Sequence, residues 1–541
     1  MEDKTMKKVF GIAALLLAFV ACNKVETEIQ PVEKSDGIPF SATVSLGDNA
    51  ATKALAESGS TITATWAEGE KVALIHNGVS DEMTVSSVSG GSATITGTIT
   101  SPVDGEDVTI IYPSSAADGT TGNIKADLLY AQNGLLTGAG SISENYDARK
   151  GSSKLKVDGT ATLSGSVSLT NQFAIFKFTV RGADGTTVIS AKPLTITIGT
   201  QDYVITPAAA TDVLYAALPA VSGEKVSFDA TGSDSKTYTC SKDGVTFAAA
   251  KFYQSTLKMA EIISLSGRYP GDDELVIADG CILTDFAVGQ SYKVSIADGA
   301  TVTLRDVQNN GKIEDHGTIL EYRPGIKCLG DATIILEGNN TVTGGDQYAG
   351  IYVPGDKTLT IRGTGSLNVT GGYSAAGIGG NATGDANCGS IVISGGTVTA
   401  TGGSSGAGIG LGANGGECKD ITISGGTVTA KGSSGGAGIG LGASWGGCKA
   451  ITISGGTVTA KGSDNAPGIG GVEGVYESIT ITGDVTKVTA TKGSWAQYSI
   501  GIEDDYSWEY CGPITIGGTV YFHEGNFTNN DLTTSPFVYQ P

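Results

Sequence analysis

One segment of this chain repeats almost unchanged every 30 residues, and few folds can accommodate such a repeat. Three copies of a glycine- and threonine-rich string begin at Cys388, Cys418 and Cys448, and a glycine-rich turn follows each copy. Self-similarity at this period is typical of solenoids, in which each unit buries its apolar face only against its neighbours. The repeat therefore predicts an elongated stack of similar units.

Within each repeat, apolar and polar residues alternate over short stretches that glycines bound. Ile421/Ile423 and Val428/Ala430 are two such apolar pairs in one repeat, and Val520/Phe522 is a later pair that is likewise expected to point inward. Alternation with a period of two predicts strands, and glycine and β-branched residues disfavour helices. We therefore predict an all-β chain whose residues 263–541 form a parallel, right-handed β-helix. Its seven rungs are marked by Gly-Ile steps at Ile326, Ile351, Ile378, Ile409, Ile439, Ile469 and Ile502.

The charge and the scattered titratable residues exclude several classes of function. The formal net charge of the 541 residues is −21, whereas nucleic-acid binding needs clustered Lys and Arg, so no nucleic-acid partner is expected. The three histidines lie far apart, and the acids of the repeat region are scattered singly. Without a constellation for acid–base or metal chemistry, we predict no enzymatic activity, no metal and no cofactor. A polysaccharide lyase or hydrolase with a site assembled across rungs is the alternative.

The N-terminal 36 residues carry an export signal. Three lysines precede the apolar run Val9–Ala21, which is too short to span a bilayer and predicts a signal peptide at residues 1–21. The small residue before Cys22 resembles a bacterial lipoprotein signal. This resemblance implies that Cys22 is acylated and anchors the protein to the outer membrane, with residues 22–36 as a flexible tether to a surface-exposed protein. An ordinary secretory peptide is the alternative.

Residues 37–262 lack the repeat and contain short alternating strands separated by turns. This pattern predicts two β-sandwiches, at residues 37–142 and 143–262. An ordered set of strings here resembles the fimbrillin (Mfa-like) family of Bacteroidetes surface lipoproteins. The strings are ATKA from Ala51, TATWAEGEKVAL around Trp66, IIYPSS around Tyr112, NQFAIFKFTV from Asn171, YAALP ending at Pro219 and FAAAKFYQSTLKM near Tyr253. The resemblance implies transthyretin-like sandwiches, a role in fimbriae and other fimbrial subunits as partners.

The C-terminal part resembles carbohydrate-binding β-helix domains of bacterial surface proteins, through ATVTLRDV from Ala300 and the strings that begin at Gly325 and Ala349. The resemblance implies a polysaccharide or surface glycan as partner. Sugars are commonly held by aromatic faces with polar groups nearby. The candidate glycan-binding residues are Trp445, Trp495, Tyr506 and Trp508. The later aromatic residues could instead form a cap over the end of the helix.

Cys388, Cys418 and Cys448 occupy equivalent positions in successive rungs and are predicted to form a structural thiol ladder. Small buried thiols fill a β-helix corner well, although neighbouring rungs would also allow a disulfide. Together these observations predict a non-enzymatic surface lipoprotein that acts as a fimbrial tip or accessory adhesin or binds a glycan. A structural fimbrial subunit without its own ligand is the other alternative.

Overall fold

The computed structural model describes most of the chain from Gly37 onward. Cys22, Tyr506 and Trp508 lie outside the described residues. No helix within the described segments is long and apolar enough to cross a membrane. The described residues are 37–46, 56–58, 61–63, 65–266, 273–285, 291–315, 318–503, 511–523, 526–528 and 530–541.

The first N-terminal unit is a closed circuit of strands around one apolar core. Ile38–Leu46 pairs antiparallel with Ser92–Ile99 on one side and in parallel with Val167–Asn171 on the other, and these pairings close the circuit. In the core, Trp66 and Tyr112 meet edge to face with ring centroids 5.0 Å apart. The strands are Ile38–Leu46, Lys71–His76, Val79–Ser89, Ser92–Ile99, Asp107–Tyr112, Arg149–Asp158, Thr160–Leu163 and Val167–Asn171, with a separate hairpin of Ala56–Ser58 and Thr61–Thr63.

The strand pairing places the end of this first unit later than the sequence-based boundary between residues 142 and 143. Arg149–Asp158 pairs with Asp107–Tyr112, and Phe40 pairs with Ala161, so the circuit continues to Asn171. The physical reason is that these later strands cover two edges of the first unit. Without them, rows of backbone N–H and C=O groups would be left unpaired.

The second N-terminal unit consists of two layers that share one long strand. Phe173–Gly182 lies between Val213–Pro219 and Phe252–Ser264 in one layer. The same Phe252–Ser264 also joins Thr237–Phe247 of the other layer. Phenylalanine rings fill the interior between the layers; for example, Phe176 and Phe247 meet edge to face with ring centroids 4.8 Å apart. The remaining elements of this unit are the strands Ala131–Gln132, Ala191–Ile198, Gln201–Ile205 and Val221–Gly232 and the π turn Ile142–Tyr146. The 3₁₀ turn Ser114–Ala116 packs against Lys71–His76 and Asp107–Tyr112 of the first unit.

The C-terminal part is a parallel β-helix with three sheets along its length. The first, here called the long sheet, contains Ile282–Thr284, Ala300–Arg305, Ala332–Glu337, Thr358–Gly363, Ser390–Ile393, Gly416–Cys418, Ile421–Ile423, Gly446–Ile453, Gly474–Ile481 and Ile514–Ile516. The threonine sheet contains Gln308–Asn310, Asn339–Thr343, Ser366–Thr370, Thr397–Thr401, Thr427–Lys431, Thr457–Lys461 and Lys487–Thr491. The corner sheet contains Leu275–Ile277, Val294–Ile296, Ile326–Cys328, Ile351–Tyr352, Ile378–Gly379, Ile409–Gly410, Ile439–Gly440, Ile469–Gly471 and Ile500–Ile502.

The predicted rungs and their aliphatic interior are confirmed. Ile421 and Ile451 are paired in register, and each is 1% exposed. The alternating threonines of the threonine sheet lie on the outside; Thr427 pairs with Thr457, for example. The last marker differs from the expectation, because Ile500 rather than Ile502 pairs with Ile469. The corner sheet also continues through two strands before Ile326, so rungs precede the first predicted one.

The C-terminal end of the β-helix is covered by strands that turn back. Thr519–His523 pairs antiparallel with Ile514–Ile516, and Phe537–Tyr539 pairs antiparallel with Lys487–Thr491. Val520 was expected to point inward with Phe522, but it is 42% exposed, whereas Phe522 is buried. The reversal of direction explains this difference, because these residues form a hairpin and not another rung. A short strand at Asn526–Phe527 and a 3₁₀ turn at Asn530–Thr533 complete this end. Earlier in the β-helix, Lys312–Asp315 and Thr318–Tyr322 form an antiparallel hairpin.

Candidate functional site

The surface around the corner sheet is built from stacked turns. In each rung a tight turn precedes the corner strand, and each turn bonds to the turn before it. The backbone N–H of Gly403 donates to the carbonyl of Ala375 at 2.9 Å, and that of Gly493 donates to Ala466 at 2.9 Å. The corner strands then bend sharply at glycines such as Gly440, whose φ of +128° strongly favours glycine. The turns therefore keep a constant position from rung to rung.

The loops that follow the corner strands fold against these turns. The N–H of Ala413 donates to the carbonyl of Ser374 at 2.6 Å, and the N–H of Ala443 donates to Ser405 at 2.9 Å. Each loop thus contacts the turn of the preceding rung, and turns and loops form one continuous surface. We call this surface the corner flank; it comprises the turns at 345–348, 372–375, 403–406, 433–436, 463–466 and 493–496 and the loops at 380–387, 411–415 and 441–445.

Two of the predicted glycan-binding residues lie on the corner flank and project into solvent. Trp445, in a loop, is 55% exposed, and Trp495, in a turn, is 79% exposed. The N–H of Trp495 donates to the carbonyl of Asp464 at 3.0 Å, which fixes its backbone to the preceding turn. Tyr373 was not predicted, yet it lies in an earlier turn and is 64% exposed. Its signal in the sequence is an aromatic residue where the next repeats have serine.

The other aromatic residues near the C-terminal end belong to the cap. Tyr498 is buried and stacks on Phe527, with centroids 5.0 Å apart and planes 7° from parallel. Phe522 contacts Phe527 from another direction, with centroids also 5.0 Å apart. The alternative interpretation of these aromatics as a cap therefore applies to Tyr498 but not to Trp495.

A groove of about 430 Å³ continues the corner flank toward the N-terminal end of the β-helix. The sequence did not indicate it, because its residues come from several rungs and share no motif. Tyr348 lies in the turn next to that of Tyr373, and the N–H of Gly372 donates to its carbonyl at 2.9 Å. The groove is lined by Glu274, Val294, Glu321, Arg323, Pro324, Lys327, Tyr348, Tyr352, Pro354, Asn381, Thr383, Gly384 and Asp385.

The carboxylates of this groove are held by nearby hydrogen-bond donors. Arg323 Nε donates to Glu321 Oε1 at 2.8 Å, and its Nη1 lies 3.5 Å from Glu274 Oε1. The hydrogen bond from Arg323 holds the pKa of Glu321 below its usual value. The hydroxyl of Tyr352 donates to Asp385 Oδ2 at 3.0 Å. Burial, reinforced by this bond, raises the pKa of Tyr352, which therefore stays protonated and acts as a donor. This arrangement suits hydrogen bonding to a ligand.

The cysteines of the predicted thiol ladder follow the loops of the corner flank in the chain and lie in or next to the long sheet. Cys388 pairs with Cys418 and Cys418 pairs with Cys448, and all three thiols are buried and free. The hydrogen bond with Cys418, together with burial, raises the pKa of Cys448 well above its ordinary value. A second groove of about 590 Å³ runs beside the ladder; Lys419 and Lys449 are among its lining residues. Within the described segments, no group of three His, Cys, Asp or Glu side chains could hold a metal ion.

Comparison with known proteins supports the class of repeat. The sequence matches a family model described as a beta helix repeat at residues 391–413, 421–443 and 451–474. Each match spans part of one rung, so this region is built of β-helix repeats. No curated protein matches the chain.

Two solved structures that are similar to this chain come from Bacteroides species. One from Bacteroides uniformis, described as a candidate cell adhesion protein, is 14% identical, with a TM-score of 0.24 and coverage of 43% of this chain and 97% of its own. Another from Bacteroides ovatus, described in the same way, is 12% identical, with a TM-score of 0.27 and coverage of 42% and 96%.

Proposed function

We propose that this chain is a non-enzymatic cell-surface lipoprotein that binds a polysaccharide or surface glycan through the corner flank of its β-helix. The observation that carries the proposal is the exposure of Tyr373, Trp445 and Trp495 on a surface that is otherwise polar. Exposed tryptophan and tyrosine side chains are enriched at surfaces that a partner covers. The ring faces suit the apolar C–H surfaces of sugars.

The polar residues around these rings supply the remaining requirement of a glycan site. Ser404, Ser405, Ser434, Asn414 and Asn465 lie in the turns and loops between the three aromatic residues. Hydroxyl and amide groups both donate and accept hydrogen bonds, as sugar hydroxyls do. The groove at Tyr348 and Tyr352 extends the same surface with further donors.

The N-terminal units are proposed to present the β-helix at a distance from the membrane. Acyl chains on Cys22 would anchor the protein in the membrane. The two N-terminal units would then lie between the flexible tether and the β-helix. The resemblance to fimbrillins supports a tip or accessory adhesin within a fimbrial assembly. Phe252–Ser264 belongs to both the second unit and the long sheet, since Ile262 pairs with Ile282, and this shared strand favours a stiff connection.

A glycan panel with parallel assays of product release tests this proposal. The chain should be produced from residue 23 onward and kept whole, because Phe252–Ser264 supplies an edge of the β-helix. Binding without release of reducing ends or unsaturated products is the expected result. Product release would support the lyase or hydrolase alternative. Absence of both binding and product would support a structural subunit and contradict the proposal.

A matched variant separates the corner flank from non-specific binding. Tyr130 lies outside the β-helix and is 38% exposed. Tyr130→Ala should leave glycan binding unchanged, whereas Trp445→Ala should weaken it. Equal effects of the two substitutions would show that binding does not depend on the corner flank.

A further inference from the structure

The three exposed aromatic residues of the corner flank occupy alternate rungs. Tyr373 precedes the corner strand at Ile378, Trp445 follows the one at Ile439, and Trp495 precedes the one at Ile500. The corner strands between them pair in the unbroken order Ile378, Ile409, Ile439, Ile469 and Ile500. The corner strands beside successive aromatic residues are therefore two rungs apart.

Because the rungs are regularly paired, the order of the corner strands gives the distance between them along the axis of the β-helix. Neighbouring parallel strands lie about 4.8 Å apart, so two rungs correspond to about 10 Å along the axis. Because the strands pair in register, the turns form a straight series, and the aromatic residues follow the axis of the β-helix. Trp445 is offset sideways, since it lies in the loop beside the turns, where Ala443 bonds to Ser405.

The surface between the aromatic residues favours a neutral ligand. Ser404, Ser434 and Asn465 lie there, together with Asn414, Ser444 and the exposed carboxylate of Asp464. The stacked Lys431 and Lys461 end the threonine-sheet strands that lead into these turns, on the outer face of that sheet, and Lys419 and Lys449 border the second groove. A polyanion would need a row of cations between the rings, which these small polar side chains and the carboxylate of Asp464 do not provide. A protein partner would need a contiguous apolar centre, whereas these rings are separated.

A β-1,4-linked sugar chain matches this pattern. In such a chain alternate rings are flipped, so every second ring presents the same face, and the repeat is a disaccharide. A ribbon of this kind is extended and straight, and its disaccharide repeat is comparable in length with two rungs. Chains that coil would leave the surface before reaching the next aromatic residue.

We infer that the corner flank binds one extended, neutral, β-1,4-linked glycan chain along the axis of the β-helix, with Tyr373, Trp445 and Trp495 stacking on every second sugar ring. This inference rests on the proposed glycan-binding function and adds the class of ligand and its direction. The contacts of one glycan chain reinforce each other. Once one sugar ring is stacked on an aromatic residue, the effective concentration of the later sugar rings at the next aromatic residue is raised. Affinity should therefore rise in steps as the chain becomes long enough to reach each residue.

Titration of the whole chain from residue 23 with oligosaccharides of increasing length tests the inference. The probes are the manno-, xylo- and cello-oligosaccharides from disaccharide to hexasaccharide. In at least one series the hexasaccharide should bind about tenfold or more tightly than the disaccharide, as expected for two additional stacked rings. Trp445→Ala should remove most of this gain without weakening disaccharide binding to the same extent, and Tyr130→Ala should leave it unchanged.

The outcomes separate this inference from the proposed function. Equal affinity for disaccharide and hexasaccharide would overturn the extended mode and leave a site for a single sugar unit. Failure of all three series, combined with binding of another glycan on the panel, would overturn the inference but not the proposed function. Failure of every glycan would overturn both. Because Trp445 is exposed, its variant should fold like the unaltered chain, and thermal unfolding of each variant checks this directly.

Discussion

Ile262 of the second N-terminal unit pairs in parallel register with Ile282, the first residue of the first strand in the long sheet of the β-helix. Ile263 pairs with Leu283 and Ser264 with Thr284 in the same ladder. The hydrogen-bonded sheet therefore continues from the N-terminal part into the rod. This attachment would hold the proposed binding face at a fixed angle to the N-terminal part.

A substitution at this junction should affect both parts. Leu283 is fully buried, so Leu283→Asp places a carboxylate in an apolar site and should cost about 4 kcal/mol or more. Hydrogen exchange should show faster exchange in Phe252–Ser264 and in Ala300–Arg305 together. Val188→Asp, at a residue that is 59% exposed, should change neither segment. Loss of protection in the rod alone would show that the two parts are independent.

The rungs provide a matched pair for testing the aliphatic interior. Ile451 points inward and is 1% exposed, whereas Thr452 next to it lies on the outer face. Ile451→Ala should lower the free energy of unfolding by about 2 to 5 kcal/mol, because it leaves a cavity in a stacked core. Thr452→Ala should cost less than about 1 kcal/mol. Denaturant unfolding measures both, and similar losses would contradict the assignment of inner and outer faces.

The thiol ladder predicts a dependence of stability on pH. Hydrogen bonding to its neighbouring thiol and burial raise the pKa values of Cys418 and Cys448 above that of a free thiol, about 8.5. The folded state therefore holds these protons more tightly, and its stability is complete below about pH 8.5 and falls as the pH rises above it. The slope should be smaller in Cys418→Ala. A stability that increases above this pH would contradict the assignment.

The same thiols should resist alkylation. At about pH 8 an exposed cysteine is partly ionised and reactive, whereas a buried protonated thiol is not. Iodoacetamide should leave Cys418 and Cys448 unmodified in the folded chain and modify both in denaturant, as mass spectrometry of peptides would show. If both resist alkylation in denaturant but react after reduction, they are joined in a disulfide, which would contradict the free ladder.

His76 is a buried residue whose removal should be costly. It is 2% exposed, and its Nδ1 lies 2.9 Å from Glu106 Oε1 while its Nε2 lies 3.1 Å from Asp81 Oδ2. His76→Ala leaves these two carboxylates without their shared partner and should cost about 3 to 5 kcal/mol. Ser80→Ala, on the exposed side of the neighbouring strand, should change stability by less than about 0.5 kcal/mol. Thermal unfolding distinguishes the two results.

The repeat allowed much of the fold to be predicted, because near-identical units must stack in register. Ile421 and Ile451 could be placed inside from their spacing alone. The end of the first N-terminal unit was misplaced because its closure depends on pairs such as Phe40 with Ala161, which are far apart in sequence. Local alternation identifies strands but not their partners. The inward position expected for Val520 failed because the chain reverses there, and the alternating pattern of a hairpin resembles that of a rung.

The candidate site was predictable in part. Trp445 and Trp495 interrupt a repeat of small residues, so their exposure followed from the architecture. The groove at Tyr348 and Tyr352 was missed because Arg323 and Asp385 reach it from different rungs. A site of this kind can be predicted only when the number of residues in each rung is known, because that number decides which side chains of different rungs lie next to each other.

The most direct test of the account compares glycan binding by the chain from residue 23 with binding by a variant carrying both Trp445→Ala and Trp495→Ala. Both side chains are exposed, so the free energy of unfolding should change by less than about 0.5 kcal/mol for each. The account predicts that the unaltered chain retains a glycan and that the folded double variant loses at least about tenfold in affinity. Equal retention by the two proteins would contradict it.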